Sequence, residues 1–444
     1  MISSSMAIHA SGALLLLPLV VGQSYSFCAF EDTIFPRWIA RFRVANTNST
    51  SSSVGAYSLL PTTFANGSAT IHNKISLYGA TDLVYAMHAV GQLTLRTNNA
   101  TTRAAWGALI GSFQNKSTGF PTLYSWEQMH TANPPYAAVP WHAAGAMVDT
   151  MQLLASVDGA AAAAPPPPSA LTIPFTSVGA LLNGGESAWI AFMQKWLTNY
   201  SDVWMGSQAV QSLAVIVKLA PTGEDVRNAT KGAFFTFLRA YLNRTASNTT
   251  GMWDGKPHQD AKHQLGGAFH IFHVLECFGL EWPFPARAVD ATLASQDCYS
   301  ATNQSAVFRG SGTWGCVGNA CAWANRATSW PTKTPSSCID LDGVYTLSRG
   351  ARQAGGGGGG GGGESVEAGP YRWNEVKNAC SAYVRTAHYL LTDEERILGA
   401  YGANTHVLHG VLYAVAECQL HFPDLVHTRR KWKRWASSES CIYA

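Results

Sequence analysis

The chain of 444 residues is 47% hydrophobic and 11% aromatic but only 13% charged, against about 25% charged in ordinary globular domains. Its 15 Trp, 16 Tyr and 18 Phe supply enough apolar area for a core, which excludes a charge-rich disordered protein. A net charge of +3 gives no electrostatic reason to expect a nucleic-acid partner.

The first segment along the chain is the apolar run Ala13–Val21, with small residues at Ser24 and Ser26 after it. This is the plan of a secretory signal peptide over 1–26, cut after Ser26, and it is too short to span a bilayer. Nine N-x-S/T sequons follow, at Asn48, Asn66, Asn99, Asn115, Asn199, Asn228, Asn243, Asn248 and Asn303. Together they predict a glycoprotein that is secreted or held in the endomembrane lumen, carries N-linked glycans and has no stable membrane insertion. All nine cysteines lie beyond Ser26 and none forms a CxxC pair. Scattered disulfides suit an oxidising compartment better than a zinc ribbon does. Cys28 with Cys441 and Cys316 with Cys321 are candidate bridges, and the odd count leaves at least one thiol over.

A helix is predicted near Ser76–Arg96, and from there the chain repeats a pattern. A helix from Trp106 ends at Gln114 and turns through Gly119-Phe120; a polar loop then leads to a second helix over Trp141–Ala155. The order recurs from Phe234 through Gly251-Met252-Trp253 to His263–Gly279, and from Val289 through Gly312-Thr313-Trp314 to the helix after Cys338. Fainter pairs join Trp189–Tyr200 with Ser207–Leu219 and Asn374–Leu391 with Thr405–Leu420. Leu265, Ala268, Phe269, Phe272 and Leu275 recur at the spacing of one buried helical face. Units about 50 residues apart predict a helical array in which no pair buries its apolar face alone. Residues 27–444 therefore read as one all-α domain, with low-complexity insertions at 159–170 and 354–369.

Helical hairpins whose first helix runs into a Gln…Gly-x-Phe/Trp turn, with the second helix starting from a polar loop, resemble the α/α-toroid superfamily. That superfamily includes the six-hairpin glycosidases, related lyases and terpenoid cyclase-like proteins. The resemblance is architectural and implies an (α/α) toroid or barrel of five to six hairpins. It further implies that the second helices form an inner ring, with the loops leading into them at the mouth of a central cavity. It names no reaction.

On that arrangement, the residues near the starts of the second helices converge. Asp340 and Asp342 sit two apart ahead of a helix. One of them suits a general acid or base working with a second carboxylate across the ring, Asp254 or Asp260, and the alternative is an N-cap with a first-turn acid. His258, Asp260 and His263 lie in one polar loop and suit either proton abstraction and return or a hydrogen-bonded loop cap. Trp141, Trp253 and Trp314 offer flat faces for sugar rings, while His142, Gln208, Gln264 and His406 add polar contacts. The catalytic candidates are thus Asp340, Asp342, Asp260, His263 and Asp254. The two HxxH pairs, His270 with His273 and His406 with His409, read as core histidines, so no metal or other cofactor is expected. The basic run His427–Trp435 reads as the solvated end of a last helix, or as a contact for anionic polysaccharide or a membrane surface.

The leading expectation is a secreted carbohydrate-active enzyme, a glycoside hydrolase or polysaccharide lyase, working on an oligo- or polysaccharide. A non-catalytic toroid that binds glycan or protein is the alternative. A terpenoid cyclase or prenyltransferase stands third, because the acidic clusters of those enzymes are missing.

Overall fold

The structure, a computed structural model, describes residues 24–44, 55–58, 75–97, 100–122, 138–156, 171–223, 226–253, 261–296, 312–314, 338–356, 369–394, 396–397 and 405–433. These are predominantly α-helical. A short strand β1 (Tyr25–Ser26) and a π-helical turn (Phe30–Ile34) lead into α1 (Phe35–Ala40). Then follow α2 (Leu77–Ala89), α3 (Leu93–Arg96), α4 (Ala100–Ser112), α5 (Val139–Ser156), α6 (Thr176–Asn183) and α7 (Gly185–Met193). The second half holds α8 (Val203–Leu219), α9 (Asn228–Thr245), α10 (Ala261–Cys277), α11 (Pro285–Ser295), α12 (Ile339–Gly355), α13 (Trp373–Leu391), α14 (Thr405–His421) and a strand β2 (Val426–His427).

Six helices pack on one another in an order that closes. α2 packs on α5, α5 on α8, α8 on α10, α10 on α12, α12 on α14, and α14 returns to α2. Their side-chain contacts also fix direction. Tyr78 and Tyr85 of α2 meet His142 and Ala146 of α5, and Asp82 and His88 meet Thr405 and Tyr413 of α14. Ser207 and Gln211 of α8 meet His270 and His273 of α10. Phe269 and Glu276 of α10 meet Tyr345 and Arg349 of α12, and Arg349 and Arg352 meet Glu417 and His421 of α14. Every pair ascends in both members, so these neighbours run parallel. Parallel neighbours that follow one another in the chain need a return segment between them, since short links join antiparallel helices. The remaining helices supply it: α4 lies against α5, the π-helical turn Gln194–Thr198 after α7 against α8, α11 against α12, and α13 against α12 and α14.

The repeated turn has a physical reason. Gly119, Gly251 and Gly312 all adopt positive φ, at 76°, 72° and 73°, a conformation that only glycine takes without strain. The chain thereby folds back beneath the next helix. In the third unit Gln296 Nε2 donates to Gly312 O at 2.7 Å and to Ala379 O at 3.0 Å, which ties the turn to α13. Glycine near the start of an inner helix then admits a large neighbour: a Cβ on Gly343 would stand 2.3 Å from the Trp314 ring.

Several boundaries differ from the sequence reading. α8 starts at Val203 rather than Ser207, because Asp202 caps it: Asp202 Oδ1 accepts from Trp204 N at 2.9 Å and Met205 N at 3.4 Å. The helix expected over Ser76–Arg96 does begin at the Ser76 cap, but it breaks at Gly91, where φ is 66°. α12 runs on to Gly355, into the glycine insertion; residues 357–368 of that insertion and the Ala/Pro insertion lie outside the described residues.

The basic C-terminal run is not a solvated helix end. α14 stops at His421, and the chain then joins the N-terminal segment, β2 pairing in parallel with β1. Glu31, only 1% exposed, accepts from Arg429 N at 2.7 Å, Arg430 N at 3.3 Å and Trp432 Nε1 at 3.0 Å. Arg429 also pairs with Asp32, while Phe27 and Phe30 pack on Trp432. The run therefore clasps the acidic turn at Glu31 and Asp32. Cys28 is a free thiol; Cys441, its candidate partner, and Cys316 and Cys321 lie outside the described residues. Asn115, Asn199, Asn228, Asn243 and Asn248, the described sequon asparagines, are all exposed, and none lies on the six mutually packed helices. Among the described residues no helix is long and apolar enough to cross a membrane.

Candidate active site at the starts of the inner helices

Because the six helices are parallel, their first turns lie at one end of this set of helices. Between α8 and α10 that end carries a half-exposed cluster. His263, in the first turn of α10, has its Nε2 3.6 Å from Asp202 Oδ2, with side-chain exposures of 29% and 17%. The carboxylate thus has two duties, one oxygen capping α8 and the other facing an imidazole. Trp204 lies edge-on to His263, ring centroids 6.1 Å apart, and its half-buried ring fits because Gly266 has no Cβ: one there would stand 2.5 Å from Trp204 Cδ1. Gln264 is half-buried beside His263. An imidazole that has a carboxylate partner and remains within reach of solvent can take and return a proton. The adjoining indole offers an apolar face.

The other predicted residues are distributed differently. Asp340 is fully buried, and its Oδ1 accepts from Trp314 N at 2.7 Å, so that carboxylate holds the preceding turn. Asp342 is buried two residues on. Trp253 and Trp314 fill the core instead of presenting a surface: Trp253 Nε1 donates to Thr245 Oγ1 at 3.2 Å, and Trp314 Nε1 to Thr292 O at 3.0 Å. The physical reason is the positive-φ glycine before each, which tucks the indole under the next helix. Trp141 is half-buried and meets Phe120 and Phe192 edge to face, which joins α5 to its outer neighbours. His142 is buried, with Nδ1 2.7 Å from Tyr78 Oη, and Gln208 is buried on α8. Asp254, His258 and Asp260 lie outside the described residues, as does the side chain of His406.

Sequence reasoning missed Asp202, although Ser-Asp ahead of an apolar run is an N-cap signal. His270, His273 and His409 are buried, as core histidines should be, but the polar partners that join them and other buried groups across neighbouring helices were missed. Asp82 accepts from Thr405 Oγ1 at 3.0 Å and lies 3.7 Å from His409 Nδ1, which ties α2 to α14. Ser207 Oγ is 2.7 Å from His270 Nδ1; burial lowers the His270 pKa to about 3, against the opposing hydrogen bond with Trp204, so the ring is neutral. Arg349 lies between Glu276 and Glu417, joining α10, α12 and α14, and Tyr345 donates to Glu276. Burial alone raises the Glu417 pKa, but Arg349 and His421 outweigh it and hold the carboxyl at about 2. These groups follow no motif, since each is satisfied by a residue about 60 to 320 positions away.

Among the described residues no group of three or more His, Cys, Asp and Glu is arranged to hold a metal ion. His270 and His273 instead face Ser207 and Gln211 one turn apart. Comparison with protein-family models, curated proteins and solved structures gives no match.

Proposed function

We propose that the chain is an exported α/α toroid that binds glycan at the end where its six inner helices begin, and that it acts on that glycan by proton transfer through His263. The observation that carries the reading is the Asp202–His263 pair beside Trp204, half-exposed at the starts of α8 and α10. The closed cycle of parallel helices supports the toroid, and the exposed sequon asparagines support a glycosylated outer surface. His263 acts as the base. For a polysaccharide lyase its ring takes the proton from the carbon beside a uronate carboxylate, a C=C bond forms as the glycosidic C–O bond breaks, and the proton passes to the departing oxygen. For a glycoside hydrolase it takes the proton from a water whose oxygen bonds the anomeric carbon as the glycosidic C–O bond breaks, and the departing oxygen ends protonated. Asp202 positions the ring and stabilises it once charged.

A second reading, a glycan-binding toroid without turnover, is favoured by the commitment of the Asp340 carboxylate to the Trp314 turn and of Asp82 to Thr405 and His409. The test is a panel of neutral and uronate-containing glycans assayed for new reducing ends, for ultraviolet-absorbing unsaturated products and for binding. Reducing ends alone identify a hydrolase, and unsaturated products a lyase. Binding without product selects the second reading. No binding to any glycan overturns both, as does turnover left intact by His263→Ala for the first.

A further inference from the structure

Two cysteines outside this site occupy one rung between α13 and α14. Trp373 stacks against Phe422 with ring centroids 4.5 Å apart, and Tyr383 Oη donates to Val411 O at 3.3 Å, so the two helices run antiparallel. Cys380 and Cys418 fall between those contacts. Both have no exposure, both are free thiols, and their side chains are near enough to interact. Cys338 sits against Gly410, eight residues before Cys418. That is more than two helical turns, about 12 Å along the axis, too far for Cys338 to reach Cys418.

We propose that Cys380 and Cys418 are a disulfide site, joined while the chain folds and locking the last outer helix to the last inner one. Each thiol gives up its hydrogen, an S–S bond forms, and two electrons and two protons pass to a disulfide oxidant such as glutathione disulfide or an oxidised thiol–disulfide oxidoreductase, which leaves as two thiols. The reaction belongs to folding because the thiolate is the reactive form, and in the packed protein burial pushes the Cys418 thiol well above its usual range. The oxidant also has no access to a rung with no exposure.

The experiment is peptide mapping of the full chain after alkylation under denaturing conditions. One sample is secreted by a eukaryotic host; the other is refolded from the reduced chain in a glutathione redox buffer. Both should yield the tryptic peptide Asn378–Arg385 linked to Ile397–Arg429, and reduction should abolish the link. Recovery of both peptides alkylated from the refolded sample overturns the proposal whatever the export route. Failure of secretion with the link present after refolding counts against export alone. Cys380→Ala should leave Cys418 alkylated in either sample; Cys418 still bridged to another cysteine overturns the assignment of its partner.

Discussion

Arg349→Met tests whether the polar groups between the inner helices hold the ring closed. Arg349 is 6% exposed and meets Glu417, itself fully buried, through Nη2 at 2.6 Å and Nε at 3.2 Å, while pairing with Glu276 on the other side. The substitution keeps most of the side-chain volume and strands the Glu417 carboxylate. Two routes give its size. Depression of Glu417 from 4.5 to about 2 corresponds to about 3 kcal/mol at about 1.4 kcal/mol per unit, and breaking a buried ion pair costs about 3–5 kcal/mol. In a chain this long each kcal/mol moves the thermal midpoint by about 1 °C, so the expected loss at pH 7 is about 3–5 °C. Acid supplies the sign. A carboxyl held low in the folded state stabilises fully above its unfolded value of 4.5, and that contribution is lost as pH falls through about 2. The difference between wild type and variant should therefore narrow between pH 4.5 and 2 in calorimetric scans. The double variant Arg349→Met/Glu417→Gln should recover part of the loss at pH 7. A midpoint unchanged at pH 7, or a gap that widens in acid, would refute the reasoning.

Asp202→Asn should keep the cap on α8, since Asn caps as well as Asp, while removing the charge facing His263. Stability should move by less than about 0.5 kcal/mol while turnover falls about 10- to 100-fold, and equal activity would show that Asp202 only caps. Gly343→Ala drives a methyl into the Trp314 ring and should cost about 1–3 kcal/mol in denaturant titrations despite the better helix propensity of alanine; a neutral result would mean the ring shifts freely. Glu31→Gln weakens three hydrogen bonds to the C-terminal clasp, at about 1–3 kcal/mol. Trypsin should then cut sooner after Arg429, Arg430 and Lys431, and an unchanged cleavage rate would place the clasp's strength in its aromatic packing instead.

The all-helical class was legible because Leu265, Ala268, Phe269, Phe272 and Leu275 recur at helical spacing and are buried, and because Gly119, Gly251 and Gly312 mark turns that require positive φ. The fate of the tryptophans was not. A glycine-x-tryptophan turn reads equally well as a platform or as a plug, and only the small residue on the next helix, Gly343 for Trp314, decides in favour of burial. The N-terminal helical turn was hidden because the partners of its Glu31, the Arg429 and Arg430 backbone and the Trp432 indole, lie about 400 residues away. Asp202 was obscured by placing the start of α8 one turn late.

The cycle of α2, α5, α8, α10, α12 and α14 also bears on how this chain can change in evolution or by design. A linear solenoid gains or loses a unit at its end at the cost of one interface, and needs terminal units with a polar outer face. Among the described residues each of these six helices packs against two of the others, so taking one out opens two interfaces instead of one.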